Sequence, residues 1–160
     1  MPPNLGKRAR VRSGSGTVMT TTTYNSRRAT LAETGESALG VRRTAVGLAL
    51  AVTAAIHVLD LPGKVEETPY LAVAYIFLIV AAVVLMERMF RGGVLVDYLA
   101  SIGLALAILA AFVVNRTVGL PGATGDIGNW LEPLGLLSLV VEAFVVWQAA
   151  AAIAILRRSS

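Results

Sequence analysis

Glu142 is the residue whose type and position most need a chemical explanation. It lies nine residues after Pro133, which opens the last long apolar run of the chain. At about 1.5 Å per residue, a helix starting there carries Glu142 roughly 13 to 14 Å into a bilayer, close to the midplane. A carboxyl group at that depth is costly to hold in hydrocarbon, so it is expected to face other helices. The helical stripe through it agrees, because Gly135, Ser138 and Ala149 are small or polar. Two readings stay open. Glu142, with Ser138 one turn away, forms a proton, cation or ligand site; or Glu142 is polar glue, hydrogen-bonded to Thr53 or Ser101 of another helix.

A second group of candidates gathers near one membrane face. His57 falls 14 residues after Arg43, in the outer part of the first apolar run, with Thr53 and Asp60 on its helical face. Imidazole with one or two carboxylates can hold a divalent cation, which would draw on Glu66, Glu67 or Glu132. The alternative is an interfacial histidine hydrogen-bonded to Asp60. Arg116 ends the third run and Glu132 precedes the fourth, so an ion pair between them would close the intervening loop against the membrane. That pair serves as a clasp, or it receives a zwitterion or a lipid head group. Asp97, near the other face, is expected to pair with Arg88 or Arg91.

Several chemistries are excluded outright. The chain has no cysteine, which removes disulfides, thiolate metal sites and thiol catalysis. Its one histidine rules out a bis-histidine haem within a single copy. No phosphate-binding glycine loop, nucleophile elbow or zinc-protease helix occurs. "VGLPGATGDIGN" is glycine-rich, but it follows no strand and carries no lysine. The formal net charge of +4 is matched by Lys7, Arg8, Arg10 and Arg12 alone, and no aromatic platform or recognition helix accompanies them, so nucleic acid is not an expected partner.

The elements that position these residues follow from hydropathy. With 56% hydrophobic residues and a mean hydropathy of +0.70, the chain has more apolar character than a soluble domain. The excess is concentrated after Arg43. Residues 1–40 read as a disordered basic tail, and residues 41–158 as an all-α domain of four transmembrane helices, at about 43–61, 70–86, 94–115 and 133–156. Glu132 suits the cap of the fourth helix and Pro133 its first turn, because proline there loses only an amide without a partner. Rows of small residues, Gly47, Ala51 and Ala55 on the first helix and Gly103, Ala107 and Ala111 on the third, are expected at helix contacts.

Arginine placement gives the orientation. Arg27, Arg28, Arg42 and Arg43 precede the first helix, Arg88 and Arg91 join the second to the third, and Arg157 and Arg158 follow the fourth. The opposite side has Lys64 and Arg116 among Asp60, Glu66, Glu67, Asp126 and Glu132. The positive-inside rule then puts both termini in the cytoplasm of a protein in the plasma membrane.

With these residues in view, the chain resembles a group of small multi-spanning membrane proteins of actinobacteria. The shared pattern is a histidine ending the first span, a proline-containing acidic loop, an Arg-Thr-x-Gly-Leu-Pro stretch, Glu-Pro-x-Gly opening the last span, and a glutamate within it. Here these are His57, Pro62 with Glu66 and Glu67, "RTVGLPG" at 116–122, "EPLG" at 132–135, and Glu142. The likeness covers about residues 45–145. It departs in the first loop, where Lys64 and Val65 stand in place of a second histidine, which weakens a metal site there. The resemblance implies the topology and no specific activity.

The leading functional expectation is a non-enzymatic membrane subunit that acts by association, as a homo-oligomer or with other membrane subunits in the bilayer. The first alternative is conduction of a proton, cation or small solute past Glu142. The second is a membrane-embedded lipid or quinone enzyme, or a haem-binding subunit. No cofactor or metal is named by the residues themselves.

Overall fold

The computed structural model describes the backbone of residues 15–159 and the side chains of residues 33–158. Four helices follow one another: α1 (Ser15–Glu67), α2 (Pro69–Phe90), α3 (Leu95–Thr117) and α4 (Pro133–Ser159), with one 3-10 turn at Thr124–Asp126. No strand occurs among the described residues. The chain falls into two compact units, Met1–Glu36 and Ser37–Ser160. In the first unit α1 is helical from Ser15. The core and the candidate site belong to the second.

Each helix holds a stretch long and apolar enough to cross a membrane, and the protein is an integral membrane protein with four such spans. The shortest, α2, has 22 residues, which at about 1.5 Å each matches the roughly 30 Å of a hydrocarbon core. Phe77, Val80, Leu106, Val140 and Trp147 point outwards, as side chains that meet lipid should.

The tail and the first span depart from expectation at both edges of α1. Residues 33–40, expected to be disordered, are helical, and the charges at Lys7, Arg8, Arg10 and Arg12 lie outside the described residues. At the other edge the helix does not stop near Leu61. It runs through Pro62 to Glu67. A proline inside a helix deprives only the carbonyl four residues back, here that of Val58, of its donor. Thr68 alone separates α1 from α2, its backbone outside the helical region at φ −147° and ψ 78°, as the proline after it favours, with Pro69 opening α2.

At the opposite end Gly92 and Gly93 turn the chain from α2 into α3. Gly93 has φ +54°, and its amide donates to the Arg88 carbonyl at 3.1 Å, which closes the last turn of α2. Asp97 then caps α3 by accepting from the Val94 amide at 2.9 Å and pairs with Arg88, as the sequence suggests. Arg91 pairs with Glu87 instead.

The two halves of the bundle are filled differently. Near the α2–α3 turn, Val46 and Leu50 of α1, Met89 of α2, Tyr98 of α3, and Ala149 and Ala152 of α4 form one solvent-free apolar cluster. Gly47 belongs here, since a β-carbon at that position would stand 3.1 Å from the Phe90 ring. The rest of the expected small-residue rows do not pack this way. Ala55, Gly103, Ala107 and Ala111 are exposed, and nothing lies within 4 Å of where a Gly103 β-carbon would be. In the half nearer the α1–α2 and α3–α4 connections, the space between helices is instead an open cavity.

Candidate functional site: a polar-mouthed cavity above a buried glutamate

The α3–α4 loop is shaped by the charges it brings together. Arg116, on the last turn of α3, is buried, and its guanidinium donates to the Asp126 carboxylate at 2.9 Å and to the Glu132 carboxylate at 3.4 Å. It also sits 5.1 Å over the Phe112 ring. Its backbone carbonyl accepts from Gly128, which folds the loop back on the helix end. Gly119 makes the departure from α3 possible: φ is +81°, and a β-carbon there would approach Ile127 to 2.9 Å. Tyr70 of α2 donates to the Pro121 carbonyl at 2.6 Å and fixes the loop from the other side.

Glu132 does two tasks at once. Its carboxylate accepts from the amides of Leu134 at 3.0 Å and Gly135 at 2.6 Å, so it caps α4 while holding Arg116. The glycine is required by space. A β-carbon at Gly135 would lie 2.6 Å from the Phe112 ring and 2.7 Å from a Glu132 carboxylate oxygen. The Glu-Pro-x-Gly stretch is thus a cap, a helix-starting proline and a gap for the neighbouring helix.

Asp126 is the hub that sequence reading passed over as a site residue. It takes hydrogen bonds from Asn115 at 2.8 Å and from Arg116, and Lys64 of α1 comes within 3.7 Å. Partial burial works to raise its pKa, but the Asn115 hydrogen bond and the Lys64 and Arg116 charges outweigh this and hold the carboxyl below the usual aspartate value. The 3-10 turn at Thr124–Asp126 is what aims it inwards. No spacing rule marks it, since the loop conformation alone supplies the contact.

Beneath this charged rim lies a cavity of about 260 Å³. Lys64, Asn115, Arg116, Asp126 and Glu132 line its mouth, Leu71, Leu78, Ile108 and Leu134 are among its apolar walls, and His57, Asp60, Tyr75 and Ser138 supply polar groups. Its volume is slightly below the range of pockets that hold drug-sized ligands. Trp130 packs edge-on against Phe112 beside it.

His57 does not bond to Asp60. Its Nδ1 lies 2.8 Å from the Thr53 carbonyl, which can only accept, so Nδ1 carries a proton. Asp60 accepts instead from the Tyr75 hydroxyl at 2.8 Å, and the Tyr75 ring stands edge-on to His57 at 5.0 Å. Thr53 then continues the polar line downwards, donating from Oγ1 to Glu142 Oε1 at 2.7 Å. Ser101, the other candidate partner for Glu142, donates to its own Asp97 carbonyl. Glu142 is 0% exposed, and its second oxygen, Oε2, has no partner among the described residues.

The structure therefore gathers His57, Asp60, Arg116, Glu132 and Ser138 around one cavity and sets Glu142 one helical turn below Ser138. Glu66 and Glu67 stay outside, exposed on the last turn of the lengthened α1. Among the described residues no group of three or more histidine, aspartate or glutamate side chains is placed to hold a metal ion. Lys64, Tyr75, Asn115 and Asp126 are additions. Lys64 follows Asp60 by four residues and so shares its helical face, which was the one available signal.

Fold and site together define a four-span integral membrane protein with a polar-mouthed cavity at one end of the bundle. Compared with known proteins, the chain matches no family model and shows similarity to no curated protein and no solved structure.

Proposed function

We propose that this is a non-enzymatic membrane subunit that binds a small amphipathic solute or lipid head group in the cavity, facing the outside of the plasma membrane. The observation that carries the reading is the cavity itself, a charged mouth over apolar walls between spans, closed below by the cluster around Leu50 and Tyr98. The charged groups are engaged with one another: Arg116 with Asp126 and Glu132, and Lys64 with Asp126. That arrangement holds a shape and a field without presenting a nucleophile beside a base.

Arginine distribution supports the orientation. Arg88, Arg91, Arg157 and Arg158 lie at the end away from the cavity, and Lys64 and Arg116 at the cavity end are neutralised by carboxylates. Both termini are then cytoplasmic. The resemblance to small actinobacterial membrane proteins fits the same reading, as His57, Arg116, Glu132 and Glu142 all lie in or just below the cavity. Function by association, with further copies or with other subunits, completes the proposal.

Native mass spectrometry of the protein gently extracted from its own membrane tests this. Retention of a small ligand, lost in Arg116→Ala, is expected; a chain or complex that carries none would overturn the reading. A transport role is favoured by one observation, the unpartnered Oε2 of Glu142 under the cavity floor. Proteoliposomes separate the two, since cation or proton flux abolished by Glu142→Gln would put transport first.

A further inference from the structure

Opposite charges fill the cavity mouth, but they do not balance. Arg116 and Lys64 are both held by carboxylates, while Asp60 has no cationic partner within 4 Å among the described residues. Its observed partner is the neutral Tyr75 hydroxyl, on Oδ2. Asp60 is half-buried and lines the cavity. Counted over the lining side chains, three carboxylates face two cations, so the spare charge is negative and sits at Asp60.

The groups nearest Asp60 add to the same preference. The Tyr75 hydroxyl ties its ring to the carboxylate, and an aromatic face attracts a cation. His57 spends its Nδ1 proton on the Thr53 carbonyl, and in the neutral ring Nε2 is left as an acceptor. Arg116 directs its two terminal guanidinium nitrogens to Asp126 and Glu132 and keeps only Nε without a partner among the described residues, and the Asn115 Oδ1 beside it is an unpartnered acceptor. Apolar walls at Leu71 and Leu78 continue from this polar corner.

Resting on the reading of the cavity as a ligand site, we infer that it selects a small organic cation, an ammonium or quaternary ammonium head with a short apolar body, held at Asp60 beside the Tyr75 ring. A cation here completes the charge balance that the protein leaves open. An anion of the same size would meet an unpaired carboxylate.

The test uses the full chain in lipid nanodiscs and three probes of similar size: benzyltrimethylammonium, benzyl alcohol and benzylphosphonate. Equilibrium dialysis, with empty nanodiscs subtracted, is expected to show saturable binding of the cation above the other two. Asp60→Asn should weaken it by about tenfold or more, as loss of a charge-assisted contact does, and Asp60→Glu should restore most of it. Asparagine keeps an oxygen for the Tyr75 hydroxyl, so the variant retains the local fold. Equal binding of the cation to wild type and Asp60→Asn, or tighter binding of benzylphosphonate, overturns the inference while leaving the cavity a ligand site. Saturable binding of none of the three overturns both.

Discussion

Two arginine–carboxylate clusters stand at opposite ends of this bundle and do different work. Arg88 and Asp97 join α2 to α3 across a four-residue turn, and beneath them the four helices meet in the apolar cluster around Leu50, Met89 and Tyr98. Arg116, Asp126 and Glu132 join α3 to α4 across a long loop, and beneath them is a cavity. The Arg88 side chain is 51% exposed and the Arg116 side chain 7%. A pair that merely fastens a turn can leave its cation in water. A pair that roofs a cavity must bury its cation, and it then needs two carboxylates, an aromatic face and a helix cap to hold it there.

The largest expected effect comes from removing that buried cation. Arg116→Met leaves Asp126 and Glu132 facing each other's charge and should cost about 2 to 4 kcal/mol. Arg88→Met, where the partner Asp97 keeps the Val94 amide, should cost about 1 kcal/mol or less. Unfolding midpoints in one detergent measure both, and equal losses would show that the two ends are held alike.

Next in size is a test of space. Gly135→Ala forces a methyl group into the Phe112 ring and the Glu132 carboxylate, with an expected loss of about 1 to 3 kcal/mol. Gly103→Ala adds the same methyl where nothing is within 4 Å, and should be neutral or slightly stabilising because alanine favours a helix by up to about 1 kcal/mol. Reversal of that order would move the helix contact to the outward row of α3.

A smaller effect is expected at the buried Thr53–Glu142 pair. Thr53→Val removes the only hydrogen bond described for Glu142 and should cost about 1 kcal/mol, the usual scale for polar contacts between membrane helices. Adding Glu142→Met to Thr53→Val should recover most of it, since both polar partners are then gone. A double-mutant cycle in thermal unfolding reads the coupling directly.

The smallest effect is one of pH. Asp126 has a folded pKa depressed below its unfolded value of about 3.9. Its contribution is therefore fully present above that value and is lost as pH falls through the lower folded pKa. Melting curves between neutral pH and about pH 3 should show an acid limb that Asp126→Asn flattens while lowering stability at neutral pH.

Much of this was legible in the chain because membrane helices advertise themselves by length and because Glu-Pro-x-Gly has one geometric reading, a cap followed by a first turn. The pairing of Arg116 with Glu132 followed from the helix ends, whereas depth left Arg88 or Arg91 open for Asp97 and Thr53 or Ser101 open for Glu142, and the fold selects Arg88 and Thr53. Rotation did not follow. When lipid and interior are both apolar, hydropathy says nothing about which face turns inwards, so Gly103 and Ala107, expected at a helix contact, are exposed, while Ala111 of the same row lines the cavity. The first span was expected to stop near Leu61 with Glu66 and Glu67 in the outer cluster, but α1 runs through Pro62 to Glu67 and leaves both exposed outside the cavity. Asp126 emerged only from the folded loop, since its partners lie ten or more residues away in sequence.

The chain has no native cysteine, which allows the account to be tested by one measurement: the rate at which a small charged thiol reagent modifies Ser138→Cys from each side of the membrane. Ser138 lies in the cavity, whereas Ala149, on the same face three turns on, is sealed in the apolar cluster. Modification is expected from the outside only, slowed by benzyltrimethylammonium, with Ala149→Cys inert from both sides. Modification of Ser138→Cys from the cytoplasmic side, or none at all, would contradict it.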